Sequence, residues 1–176
     1  MYYLKITLEG VLQSYGNSEN AWRTRRDTQI APTKSAVIGI LGCSLGFRKG
    51  EEKYEKLEKL TYLYKTNRKP KILDDYQMIR PKEEGLSFED SQFWSADGGH
   101  SGKQLPTTKE YLVDASFSVY IGYDNPNVLK TIHDALRNPV WPYYLGRACC
   151  TPSKPIADKE FVLTEELEEQ VCICLS

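Results

Sequence analysis

Residues 23–35 read RTRRDTQIAPTKS, and four of the thirteen are cationic: Arg23, Arg25, Arg26 and Lys34. A helical run, SAVIGILGCSLG, follows at once, so the cations stand at or just before a helix start. Such a start offers free backbone N–H groups and a partial positive charge, to which Lys34 adds a full one; this is the chemistry of an anion site. Thr33 and Ser35 are placed to cap the same helix. The G-x-x-x-x-G that precedes the lysine of a nucleotide-hydrolysing P-loop is absent, and a phosphodiester suits the site as well as a nucleotide does. The three arginines can fork onto phosphate oxygens or stack on bases. Their bland alternative is a solvated loop paired with Asp27.

Tyr76, in a strand-like stretch, is able to stack a base. His100 with Lys103 is the pair that could imitate a metal-free ribonuclease, which needs a base for a 2′-hydroxyl and a cation for phosphorane charge. Their Gly-rich setting speaks against the preorganisation that catalysis requires, and no catalytic set is assigned. His133 is expected on the charged side of a helix, at the surface. Five cysteines, Cys43, Cys149, Cys150, Cys172 and Cys174, stand at spacings that match no zinc ribbon or finger. Neither a metal nor a cofactor is expected, and the thiols read as reduced.

The bulk properties bound the partners. The chain has 176 residues, 40% hydrophobic and 27% charged, which suits one globular domain or a core with an appendage. Its formal net charge of −1 argues against a surface that binds nucleic acid throughout, while leaving room for a local groove. The sum conceals a split between the basic loop ending at Lys34 and an acidic stretch from Glu160 to Glu169. No apolar run reaches bilayer length, and MYYLKITLEG has no signal-peptide core, so a cytoplasmic protein without membrane contact is expected.

The elements that must position these residues follow from periodicity. YYLKITLE alternates, with Leu4, Ile6 and Leu8 on one face and Tyr3, Lys5 and Thr7 on the other: a half-buried strand. After the long polar segment Gln13–Pro32, a helix begins at the Thr33 cap and ends at Gly46, with Val37, Ile38, Ile40, Leu41 and Leu45 apolar. EEKYEKLEKL predicts a charged second helix with Tyr54, Leu57 and Leu60 on one side. TYLYKTN and ILDDYQMIR read as strands around a turn at Lys69–Lys71. Residues 82–108 are Gly-rich and aperiodic, as in a protruding hairpin or loop. EYLVDASFSVYIGY reads as one alternating strand whose buried face carries Tyr111, Val113, Ala115, Phe117, Val119 and Ile121. Asp124 or Asn125 caps a helix with Pro126 in its first turn, a buried stripe of Val128, Leu129, Ile132 and Leu136, and a stop at Pro139. EEQVCICLS is a candidate closing strand. The order approximates the β-α-β-β-α-β ferredoxin-like plan, which also underlies RNA-recognition modules.

Five stretches in order resemble one family: QSYG at 13–16, PTKSAVIGILGCSLG at 32–46, DDYQMI at 74–79, EYLVDASFSV at 110–119 and PYYLGRACCTPSKP at 142–155. The YLGR-x-x-C-x-P-S pattern is the most specific of them. Together they resemble the CRISPR-associated protein five family, in the CasD form of type I-E Cascade complexes, with a tail after the PSKP segment that is shorter than is usual there. The resemblance implies an α+β protein: a ferredoxin-like, RRM-like palm at residues 1–81, an inserted thumb hairpin at 82–108, and the rest of the palm with a short tail at 109–176. It implies a non-catalytic subunit that caps the 5′ handle of CRISPR RNA and touches the Cas-seven backbone and large Cas-eight subunits, meeting target DNA only through the complex. A metal-independent endoribonuclease acting on CRISPR repeat RNA, as in the type I-C branch, is the alternative.

By the same resemblance, Gln13, Ser14 and Tyr15 lie near the handle, Lys109 faces it, and Tyr144 and Arg147 flank RNA contacts. These join Arg23, Arg25, Arg26, Thr33, Lys34, Ser35 and Tyr76 as the expected RNA-binding set. The thumb, with Trp94, His100 and Lys103, is expected to fold over the RNA between handle and guide, Trp94 serving as an apolar wedge.

Overall fold

A computed structural model describes residues 1–16, 25–79, 93–94, 100–101, 105–165 and 167, with backbone only at 79, 93–94, 100–101 and 105. In chain order the elements are β1 (Tyr2–Glu9), β2 (Leu12–Gln13), β3 (Arg25–Arg26), α1 (Lys34–Leu45), α2 (Glu52–Leu57), β4 (Thr61–Arg68), β5 (Lys71–Ile79), β6 (Phe93–Trp94), β7 (His100–Ser101), β8 (Leu105–Val113), β9 (Ser116–Tyr123), α3 (Pro126–Arg137) and β10 (Leu163–Thr164). The architecture is mixed α+β. An antiparallel sheet has the order β10-β1-β9-β4, and a second sheet is built around β8.

The main sheet forms because β1 and β9 present matched apolar rows. Leu4, Ile6 and Leu8 stand in register with Ile121, Val119 and Phe117, and all six are buried. Tyr62 and Tyr64 of β4 extend the row, opposite Ile121 and Val119. Against it packs α1, apolar around most of its circumference and therefore deeply buried at Val37, Ile38, Ile40 and Leu41. The Thr33 hydroxyl caps α1 by accepting from the Ala36 N–H, and Gly46 ends it at φ 73. In α3, Asn125 caps, Pro126 fills the first turn, and Leu129, Ile132 and Leu136 reach the core. The free edge of β1 beyond β10 is covered by the 153–157 segment, through Ser153 N–H to Glu9 O (2.8 Å) and Thr7 N–H to Ile156 O (2.8 Å).

Three findings go beyond or against the sequence reading. First, the strands expected on either side of Lys69–Lys71 are present, and they enter different sheets: β4 joins β9, and β5 joins β8. Second, residues 110–123 are not one strand. The chain turns at Asp114, whose φ of 57° ends β8, and β9 starts a new sheet at Ser116. The two corners are one structure: the Arg68 guanidinium, at the end of β4, donates to the Asp114 carbonyl. The other row of β9 is buried too: Ser116, Ser118 and Tyr120 are at most 6% exposed, with Asn67 on both serine hydroxyls and Glu9 on that of Ser116. Third, His133 is buried, not at the surface. It lies one turn beyond Leu129 on the inward stripe of α3, with Nε2 against the Asp158 carbonyl (2.9 Å) and its ring edge-on to Phe161.

The second helix is shorter than its charged pattern suggested, ending at Leu57, although Leu57 and Leu60 are buried as expected. Within residues 82–108, β6 pairs with β7, Trp94 opposite His100, and β8 already begins at Leu105. The candidate closing strand EEQVCICLS lies outside the described residues; β10, at Leu163–Thr164, pairs with β1 ahead of it. No helix among the described residues is long and apolar enough to cross a membrane.

Candidate nucleic-acid interface

Strand β8 is the organiser of the site. One edge pairs along its length with β5; the other takes β2 antiparallel at Leu112–Val113 and β3 parallel at Thr108–Lys109. Alternation sorts the side chains. Arg26 is registered beside Lys109, and Lys109 opposite Asp75, on one face; Tyr111 and Leu73 share that face. Arg25, Thr108, Tyr76, Asp74 and Glu110 belong to the other.

The two faces have opposite electrostatics. Arg25 binds three carboxylates, Asp27 at 3.0 Å, Asp74 at 3.3 Å and Glu110 in direct contact, and Glu110 first and Asp74 next raise its pKa further. Its charge is spent within the protein. Arg25, expected among the RNA contacts, is half-exposed and paired with three acids from three segments. On the other face, the Lys109 ammonium donates to the neutral amide oxygen of Gln77 (2.7 Å), and Gln77 in turn donates to Asp75 (2.6 Å). Arg26 is exposed, and among the described residues neither it nor Lys109 is held in an ion pair.

Arg147 is a clamp. Its two terminal nitrogens donate to the Glu110 carbonyl (2.9 Å) and the Arg26 carbonyl (3.1 Å), and the guanidinium lies 4.7 Å from the Tyr111 ring centroid. It joins the YLGR segment to β8 and β3, fixing the backbone that presents Arg26. Gly146 beside it has φ 100, and a Cβ there would stand 1.7 Å from the Ser14 carbonyl oxygen, so the segment closes on the chain after β2 only because residue 146 is glycine. The Ser14 N–H completes the closure at the Leu145 carbonyl (3.0 Å).

The QSYG side chains are inside. Gln13, Ser14 and Tyr15 are at most 3% exposed. Tyr15 Oη donates to Gln13 Oε1 (2.7 Å) and Gln13 Nε2 to the Ala115 carbonyl (2.7 Å). Burial pushes the Tyr15 phenol well above its usual range. Direct RNA contact from these three side chains is thus corrected to a structural role, because each is enclosed by the strands it joins.

At the start of α1, Thr33 caps Ala36, and its hydroxyl also meets Ser35 Oγ at 3.2 Å. Among the described residues the Lys34 and Ser35 N–H groups find no acceptor, the usual condition of a first turn. The Lys34 ammonium leans over the Tyr62 ring at 6.0 Å. Tyr76 is 63% exposed, on the face opposite Lys109, and Tyr144 is exposed beside the clamp. Arg23 and Lys103 lie outside the described residues, as do the side chains of Trp94 and His100.

Glu110, Tyr111 and Gln77 escaped sequence reasoning. Glu110 receives Arg25, the Thr28 N–H (3.1 Å) and, on its carbonyl, Arg147. The available signal was one acid set directly beside Lys109 in a strand.

Comparisons with known proteins cover nearly all of this framework. The profile of a family described as CRISPR-associated protein (Cas_Cas5) matches residues 3–171. The CRISPR system Cascade subunit CasD of Escherichia coli (strain K12) is 28% identical over 160 residues, which is 88% of this chain and 69% of that protein. Among solved structures, a chain of a CRISPR RNA-guided surveillance complex superposes with TM-score 0.72 at 27% identity, over 88% of this chain and 61% of that one. A crystal structure of a Cas protein gives TM-score 0.66 at 27% identity, over 94% of this chain and 67% of that one. The chain thus spans under two thirds of the length of the first of these structures.

Proposed function

Because the chain belongs to the CRISPR-associated protein Cas5 family, we propose that it is a non-catalytic, RNA-binding subunit of a type I-E Cascade complex. In this reading it caps the 5′ handle of the CRISPR RNA and links the Cas-seven backbone to the large Cas-eight subunit, within the cytoplasm. Target DNA is met indirectly, through the assembled complex. The observation that carries the reading is the likeness to CasD over 88% of the chain, which takes in β8 and the start of α1. The strand order supports a ferredoxin-like palm: counting the strands of the main sheet along the chain, they lie fourth, first, third, second. The β5–β8 ladder ends at Ile79 opposite Leu105, so the thumb, proposed at residues 82–108, takes in the first four residues of β8.

Within that frame, Arg26 and Lys109 on one face of the β8 sheet are the phosphate contacts, held in place by Arg147. The start of α1, with Lys34, is a second phosphate position. Tyr76 and Tyr144 are the exposed aromatics suited to stacking, and the thumb with Trp94, His100 and Lys103 closes over the strand. A kinked single strand, whose bases are unstacked and available, can place phosphates on the cations of one face and a base against Tyr76 on the other.

The test is assembly of the complex with repeat-derived handle RNA and with a scrambled RNA of equal length. The expected result is tighter, salt-sensitive retention of the handle; equal retention of both overturns the assignment. Incubating the purified protein with labelled repeat RNA in EDTA is expected to leave the RNA intact. Product bands lost on His100→Ala would establish the ribonuclease reading instead.

A further inference from the structure

Three strands carry a row of charge across one face of the β8 sheet: Arg26 on β3, Lys109 on β8 and Asp75 on β5 are registered side by side. Opposite charges directly across a ladder make a favourable pair. Lys109 and Asp75 do not form it. The ammonium donates to Gln77 Oε1 at 2.7 Å, and Gln77 Nε2 donates to Asp75 Oδ2 at 2.6 Å. Among the described residues, no ion pair joins Lys109 to Asp75. An amide is the group that fits between them, because an ammonium only donates and a carboxylate only accepts, while a carboxamide does both. Gln77 stands two residues after Asp75 on the same face of β5, diagonal to Lys109 and within reach of its long side chain. The other face of the same strands shows the arrangement without a spacer: there Arg25 bonds directly to Asp74 and Glu110.

We infer that Gln77 is a positioning residue for the phosphate contact at Lys109: it occupies Asp75 and holds the ammonium in place without matching its charge. The inference rests on the reading of Lys109 as that contact. An ammonium on a neutral oxygen is fixed, yet keeps its whole charge for an anion. An ammonium on Asp75 would have to leave it, and the carboxylate left behind would draw a cation of its own from solution. The release of a counterion from the RNA would then be cancelled at that position. Arg26 beside Lys109 adds to the effect. Two like charges abreast repel, and an anion placed over both relieves them only while neither is already matched.

The test is a salt series of handle-RNA binding by the assembled complex. Gln77→Leu keeps the side-chain bulk but removes both bonds, so Lys109 should settle on Asp75. The slope of log affinity against log salt should then fall by about 0.7, as for Lys109→Ala. Adding Asp75→Asn to Gln77→Leu removes the competing carboxylate and should restore the wild-type slope. Adding Gln77→Leu to Lys109→Ala should change nothing further. A purely structural role for Gln77, or a direct bond from it to RNA, predicts no rescue by Asp75→Asn, so a slope that stays lowered overturns the inference. A wild-type slope for Gln77→Leu beside a reduced one for Lys109→Ala also overturns it, and leaves the phosphate contact standing. A wild-type slope for Lys109→Ala overturns it through the contact itself. Gln77 is exposed and its two partners are half-buried, so the variants should stay folded, with thermal midpoints within about 2 °C of wild type.

Discussion

The Tyr15 phenol donates to Gln13 Oε1 at 2.7 Å, and the same Gln13 amide donates to the Ala115 carbonyl at 2.7 Å. This relay joins the chain after β1 to the corner between the two sheets, with both side chains buried and Tyr15 edge-on to Phe117. An apolar replacement of one member strands its partner. Tyr15→Phe keeps the ring and is expected to cost about 1–2 kcal/mol, while Gln13→Leu strands two groups and is expected to cost about 2–4 kcal/mol. Urea denaturation checks both. RNA affinity of the folded fraction should be unchanged, because neither side chain reaches the surface.

Gly146 packs against the Ser14 carbonyl, and its φ of 100 lies where side chains are strained. Gly146→Ala meets backbone, which does not move aside as a flexible side chain would. The expected loss is at least about 3 kcal/mol, with the YLGR loop displaced and the Arg147 clamp opened. A parallel Gly50→Ala, also at positive φ but in open space, separates strain from collision and should cost about 1 kcal/mol. Thermal midpoints of the two variants decide the point.

What was legible in the sequence was local. The alternation of β1, the Thr33 cap, the Gly46 stop and the Asn125–Pro126 start each depend on residues within one or two turns of each other, and each stands where expected. Partner choice was not legible. The Lys69–Lys71 turn looks like a hairpin until Asp114 shows that β8 and β9 part company, and that divergence is set by which sheet each strand enters. The same limit applied to charge. Arg25 and Arg26 are neighbours in sequence, yet the pleat points one at Asp74 and Glu110 and the other toward the side of Lys109. A run of arginines discloses positive charge but not which of its members is already neutralised.

That difference yields a paired prediction. Lys109→Ala removes a cation that no carboxylate holds among the described residues, so the slope of log affinity against log salt for handle RNA should fall by about 0.7, the value for one single-strand phosphate contact. Arg25→Ala removes a cation already matched by Asp27, Asp74 and Glu110, and the slope should hold. Arg147→Lys retains charge but cannot bridge two carbonyls and stack on Tyr111 together; it should weaken binding by releasing Arg26. Filter binding of the assembled complex over a salt series distinguishes the three.

Glu9 ties the end of β1 to the segment that covers its edge. Its carboxylate accepts from Lys154 (3.1 Å) and Ser116 (2.9 Å), with Arg68 at 3.7 Å. The Lys154 bond first, then Ser116, hold its pKa below the usual 4.5. A carboxyl that is more acidic folded than unfolded stabilises the fold only while ionised. Its contribution is fully present above about pH 5, declines as the pH falls through 4.5, and is lost below the folded value. Wild type should therefore exceed Glu9→Gln in stability at neutral pH, and the gap should close on acidification to about pH 3. The side chain is a quarter exposed, so salt will screen much of the effect. Lys154→Met should produce a similar, smaller convergence, because Ser116 still holds the carboxylate. Denaturant midpoints of the three proteins between pH 3 and 7 measure it, and a gap that persists at pH 3 would assign the Glu9 contribution to packing instead of charge.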